Sequence, residues 1–249
     1  MGAFVTAARY LTVVPLPGRA RVDLDALGRA AGWFPVVGAL LGAVLATGDR
    51  LLSWLFPPIL AALLTVTGWK LVTGGLHLDG LADSLDGLAG LDREQRLRIM
   101  HDSRIGVFGA VGLILVLLLE IASLEGLPAG FRWRTLLAAP AVARAAPPLL
   151  ARVFRPARAD GQGAEFIRGT RRVGAGMAAL LAFAVALLTL GAAGVAAFGL
   201  AAATVVAVEI FFAGRLGGLT GDNLGASVEL GELAVLLAVA SWAHLGLPE

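Results

Sequence analysis

With 249 residues, of which 58% are hydrophobic and only 15% charged, this chain lacks the polar surface of a water-soluble domain, where about 25% of residues are charged. It contains no cysteine, so disulfides, thiolate metal sites and cysteine nucleophiles are excluded, and any metal must be held by oxygen or nitrogen. The formal charge of +2 is small, and the basic residues are nearly all arginines without interleaved aromatics, which argues against nucleic acid as a partner.

Residues 1–17 carry an apolar run but neither a strongly basic start nor a small-residue cleavage site, and are read as part of the mature chain. A helix crossing a hydrocarbon core of about 30 Å needs about 20 mostly apolar residues. Seven stretches qualify, roughly 30–48, 51–73, 105–124, 135–151, 174–191, 195–213 and 228–246. Prolines interrupt the first, second and fourth. The fifth and sixth are rich in Gly and Ala, which lets helices approach closely in lipid. No polar linker divides the chain and no repeat is evident, so the expectation is one membrane domain over 1–249, an all-α polytopic helical bundle with about seven transmembrane helices.

Loops rich in Lys and Arg tend to stay cytoplasmic. With the N-terminus inside, fifteen arginines fall on inner segments (9, 19, 21, 29; 93, 96, 98, 104; 152, 155, 158, 168, 171, 172; 215). Arg50, Arg132 and Arg134 fall on outer connections, while Lys70 and Arg144 lie inside spans. This topology puts the polar segments 74–104, 152–172 and 214–227 on the cytoplasmic side and Glu249 outside.

The segment Gly74 to Gly87 holds three carboxylates within eight residues. On a helix, Asp79, Asp83 and Asp86 stand at i, i+4 and i+7, within about a 60° arc. Carboxylates so close repel one another unless a cation joins them, and clustered ionisable groups beside apolar spans are usually functional. Mg²⁺ suits such a set, since it is held by carboxylates together with substrate phosphates and water. The alternative is a solvated helix end. His77 would point away from Asp79 on a continuous helix, which leaves a structural role and a general-base role both open.

His101, Asp102, Ser103 and Arg104 precede the third span, where Arg104 offers a planar fork for phosphate oxygens. A basic cytoplasmic flank with a helix cap is the bland reading. A third cluster, Gly217 to Gly225, contains Asp222 and Asn223. Asp222 is either a helix cap or a metal ligand, and Glu229 lies seven residues later on the same face. Inside the spans, Lys70 and Arg144 would neutralise an anionic substrate or pair with Glu120 or Glu209, and Arg144 is weighted toward substrate.

The block GGLHLDGLADSLDGL resembles the signature of the cobalamin synthase family, the adenosylcobinamide-GDP ribazoletransferases. Five further stretches match in order: LTVVPLP, FPVVGALLG, RIMHDSRIGVFG, ARAAPPLL around Arg144, and GGLTGDNLGA. Ser84-Leu85 departs from an expected small pair such as Thr-Ala without touching a proposed ligand.

The resemblance implies a membrane enzyme that joins adenosylcobinamide-GDP to α-ribazole or its 5′-phosphate, giving adenosylcobalamin or its phosphate and GMP, with Mg²⁺ as cofactor and its site facing the cytoplasm from the inner membrane. In that reading Asp79, Asp83, Asp86 and Asp222 hold the metal. Lys70, His101, Asp102, Ser103, Arg104, Arg144 and Asn223 bind substrate, and His77 or an unliganded aspartate takes the hydroxyl proton. A homo-oligomer and contacts with pathway enzymes are compatible with it. A CDP-alcohol phosphotransferase shares this chemical logic, but its Asp-Gly-x-x-Ala-Arg pattern fails because Ala82 is followed by Asp83. A transporter or binding scaffold is the non-enzymatic alternative, and the lack of an inverted repeat counts against it.

Overall fold

The structure is a computed structural model that describes residues 2–16 and 23–247. Pro17, Arg19, Arg21 and Glu249, which enter the readings above, lie outside the described residues.

The helices follow one another as α1 (Ala3–Leu11), α2 (Leu24–Ala30), α3 (Phe34–Leu55), α4 (Pro58–Val72), α5 (Leu76–Asp86), α6 (Arg93–Ile99), α7 (Val107–Gly126), α8 (Ala129–Ala143), α9 (Ala146–Val153), α10 (Gln162–Gly169), α11 (Arg172–Leu216) and α12 (Gly221–His244). Among the described residues, five helical stretches are long and apolar enough to cross a membrane, or six if α4 and α5 form one broken span. The outward face of α7, with Ile114, Leu115 and Leu118 exposed, presents hydrocarbon to lipid. The result is a multi-pass all-α bundle.

Several span boundaries move from their sequence-based positions. Asp49 and Arg50, expected in an outer connection, lie within α3, which continues to Leu55. The prolines Pro57 and Pro58 start α4, because proline is tolerated where the amide has no intrahelical partner. Arg132, also assigned to a connection, is buried in α8 and binds both oxygens of Asp49 at 2.8 and 2.7 Å. Thr65 of α4 donates to the same carboxylate at 2.9 Å. A charged pair satisfied this way can sit inside the bundle, which hydropathy windows do not anticipate.

Two glycines bring α3 against α8. Gly38 and Gly42, one turn apart, leave no room for a Cβ beside the carbonyls of Pro140 and Leu136. Long α11 is a hairpin of two antiparallel arms. Its chain reverses at Gly191, at φ 57° and ψ −128°. Phe183 and Phe198 consequently meet with ring centroids 5.4 Å apart, where 15 residues of straight helix would separate them by about 22 Å. Alanines 178, 182 and 186 on the first arm, and 193, 197 and 201 on the second, form buried stripes along these arms.

The turn that positions the polar residues lies between α4 and α5. Gly74 and Gly75 adopt left-handed φ of 65° and 68°. Their amides donate to Leu71 and Lys70 carbonyls at 3.0 Å each, a glycine-terminated helix end. The chain then bends by 90° into α5.

Candidate active site

Segments 74–83, 100–105, 158–166 and 219–225 converge at one end of the bundle around a cavity of about 960 Å³. His77, Asp79 and Asp83 contribute from α5, and Thr220, Gly221 and Asp222 from the start of α12. These two helices touch where Gly80 meets the backbone of Asp222, and no Cβ would fit at that contact. Asp79 and Asp83 flank Gly80 in sequence, so the contact gathers three carboxylates from two distant parts of the chain into one cavity. The cavity lining also includes the apolar or aromatic residues Tyr10, Phe34, Pro147, Phe166 and Leu224, with Phe34 and Phe166 stacked at 5.8 Å.

Asp222 is not the cap of α12. Thr220 is, in a capping box with Asn223: the Thr220 amide donates to Asn223 Oδ1 at 3.0 Å and the Asn223 amide to Thr220 Oγ1 at 3.2 Å. Asp222 is thereby released from the capping role and faces the cavity. Asn223, expected to bind substrate, is instead fully buried and donates to Ser84 Oγ at 3.1 Å, tying α12 to α5.

Asp86 is another departure from expectation. Its two oxygens accept the amides of Gly106 at 2.7 Å and Gly109 at 2.8 Å, so it caps α7 and does not line the cavity. Helical spacing puts it on the face of Asp79 and Asp83, but the start of α7 packs against that end of α5 and occupies it.

His77 lines the cavity although it is buried, and its Nδ1 has no hydrogen-bond partner among the described residues. Residues 101–104 form the rim. Arg104 donates to Asp102 at 2.6 and 3.0 Å, and these bonds hold the Asp102 carboxyl down to about 2. Arg104 itself is 87% exposed.

Lys70 and Arg144 do not line the cavity. Lys70 Nζ donates to Glu120, Glu229 and Glu232 at 2.9, 2.6 and 2.8 Å. Arg144, at the break between α8 and α9, pairs with Glu232. Of the two roles open to these cations in sequence, the structure shows ion pairing in the core, with partners on α7 and α12. Glu209 takes no part in the cluster, and neither of its oxygens has a hydrogen-bond partner among the described residues.

Two groups of carboxylates bear on cation binding. The oxygens of Glu120, Glu229 and Glu232 lie within 4.8 Å of one another, but the Lys70 ammonium already sits among them, bonded to all three. Asp79, Asp83 and Asp222 line one open cavity without their oxygens closing to that distance; as donors they are of the type a hard divalent ion takes, with positions left for phosphate and water.

Sequence reasoning missed Tyr10 and Arg158 in the cavity wall. Burial, and then the charge of Asp222, raise the Tyr10 phenol above its usual range. As the only tyrosine, Tyr10 was a visible signal in a stretch without chemical residues. Arg158 was one of six arginines in its segment, and nothing in the sequence singled it out.

The sequence profile described as cobalamin-5-phosphate synthase matches residues 3–240. The adenosylcobinamide-GDP ribazoletransferase of Geotalea daltonii is 38% identical over 239 residues, covering 96% of each chain. That of Pseudomonas syringae pv. syringae is 41% identical over 240 residues, 95% of this chain and 98% of the relative. That of Roseiflexus sp. is 36% identical over 232 residues, 92% of this chain and 86% of the relative. No solved structure matches the chain. With a family profile and relatives of this identity covering nearly its full length, the chain belongs to the cobalamin-5-phosphate synthase family.

Proposed function

We propose that this protein joins adenosylcobinamide-GDP to α-ribazole or its 5′-phosphate, releasing GMP, by Mg²⁺-dependent phosphoryl transfer at the cytoplasmic face of a membrane. The observation that carries the reading is the meeting of Asp79 and Asp83 on α5 with Asp222 on α12 in one large cavity. Family membership and the names of the relatives support the choice of substrates.

The three aspartates would hold the ion, and the Asp83 and Asp222 side chains would reach it from separate helices. Bound there, Mg²⁺ would supply charge neutralisation for the diphosphate. Displacement at a diphosphate asks little of the protein beyond positioning and electrostatic stabilisation. The rim residues Ser103 and Arg104 offer donors to phosphate oxygens, and the apolar wall of Tyr10, Phe34 and Phe166 offers a flat surface to an aromatic base. His77, or an aspartate not engaged with the metal, would take the proton of the attacking ribose hydroxyl.

Purified protein in detergent, given adenosylcobinamide-GDP, α-ribazole and Mg²⁺, is expected to release GMP and the joined corrinoid in equal amounts. Chelation of the metal should stop both. Absence of GMP from folded protein under these conditions would reject the reading.

A further inference from the structure

We propose that Arg158, rather than the rim residue Arg104, is the fixed guanidinium that grips the diphosphate of the nucleotide-linked substrate. The inference rests on the proposed function and names a residue for it. Arg158 follows a short parallel pairing of two chain segments. The Leu219 amide donates to the Arg155 carbonyl at 3.0 Å, and the Ala157 amide to the Leu219 carbonyl at 2.8 Å. One segment runs on into Arg158 and the other into Thr220 and Asp222, so the cation and the metal-site carboxylate leave the same pairing side by side and both line the cavity.

The pairing is stiffened by other arginines. Arg93 donates through Nε to Leu216 at 2.7 Å and through Nη2 to Ala157 at 2.5 Å, clamping both segments. Arg155 Nε donates to Gly217 at 2.9 Å. Gly218, at φ 154°, leaves no space for a Cβ against the Arg155 backbone. Arg158 Nη2 donates to the Leu97 carbonyl at 2.7 Å, which orients the guanidinium through a neutral acceptor, and its charge acts on Asp222 in the cavity that both residues line. Arg104 differs on both counts, being 87% exposed and engaged by the Asp102 carboxylate. A preorganised cation beside the metal carboxylates meets the needs of a diphosphate better than a mobile one at the rim.

The test compares wild type, Arg158→Gln and Arg158→Lys in detergent. GDP binding with Mg²⁺ and binding of Mn²⁺ alone are measured, along with KM for each substrate. Arg158→Gln is expected to weaken GDP binding and raise KM for adenosylcobinamide-GDP by about 10- to 100-fold, with KM for α-ribazole within about threefold. Arg158→Lys, which keeps the charge but not the fork, should fall between. Unchanged GDP binding with tighter Mn²⁺ binding would make Arg158 a counter-ion of Asp222 and overturn the proposal. So would a loss of affinity shared equally by both substrates. GDP titration reads the arginine directly, so failure of the wild type to release GMP would reject the proposed reaction without deciding the role of Arg158.

Discussion

Asparagine in place of Asp79, Asp83 or Asp222 keeps the side-chain volume and removes the charge that a cation needs. Each substitution is expected to slow GMP release about 10²- to 10³-fold, equivalent to about 3 to 4 kcal/mol, and to raise the Mg²⁺ requirement. Asp86→Asn separates from these. Its carboxylate serves two amides at the start of α7, so the loss should appear as about 1 to 2 kcal/mol of stability in thermal unfolding, with turnover of the folded fraction close to wild type. A turnover defect in Asp86→Asn as deep as that in Asp83→Asn would show that the cap also serves the chemistry. The acidic triplet was legible in the sequence because helical spacing is a local property. That Asp86 faces the start of α7, 20 to 23 residues on, while Asp222 joins the other two from more than 100 residues away, is set by packing between helices, and spacing within α5 carries no information about it. The pairing of Arg144 with Glu232 was hidden for the same reason, since Glu232 lies on another helix.

At the level of the helices, glycine fixes what hydropathy only suggests. Gly38 and Gly42 allow α3 to reach the backbone of α8. Gly42→Val should therefore force the pair apart and cost about 1 to 3 kcal/mol, read as a lower melting temperature and a smaller folded fraction in detergent. An unchanged melting temperature would mean that α3 and α8 do not depend on this close approach. The Gly/Ala composition of the fifth and sixth predicted spans was a readable signal of tight packing, and the structure makes them the two arms of α11 around Gly191. The interrupting prolines were visible but not interpretable. Pro57, Pro58, Pro147 and Pro148 stand at or just before the beginnings of helices, so they divide the chain where a hydropathy window saw flawed continuous spans.

For the whole molecule, the gathering of three separated polar segments around one cavity turns the arginine distribution into a statement about which side the site faces. Ser103 lies at the cavity end just before α7, and Gly126 ends α7 on the other side with open space where a Cβ would go. The chain has no cysteine, so a single introduced thiol reports without background. In intact cells, an impermeant thiol reagent is expected to label Gly126→Cys and to spare Ser103→Cys until the membrane is broken. The reverse pattern would put the cavity on the outer face. The convergence of the loops was legible as a shared side of the membrane. The cavity they form was not, because its apolar lining comes in part from Phe34 and Phe166, which carry no chemical signal in sequence.

The ion cluster around Lys70 also bears on how the protein is made. Its members reach the membrane at different times, Lys70 on α4, Glu120 on α7, Arg144 after α8, and Glu229 and Glu232 only with α12, the last helix. Until α12 arrives, Lys70 and Arg144 have between them the single carboxylate of Glu120, and an uncompensated cation in the middle of a bilayer costs about 2.5 to 3.5 kcal/mol on insertion scales. The segment that ends this interval is α12, which also brings Asp222 to the cavity. Completion of the ion cluster and the arrival of Asp222 at the cavity are then the same event in biosynthesis.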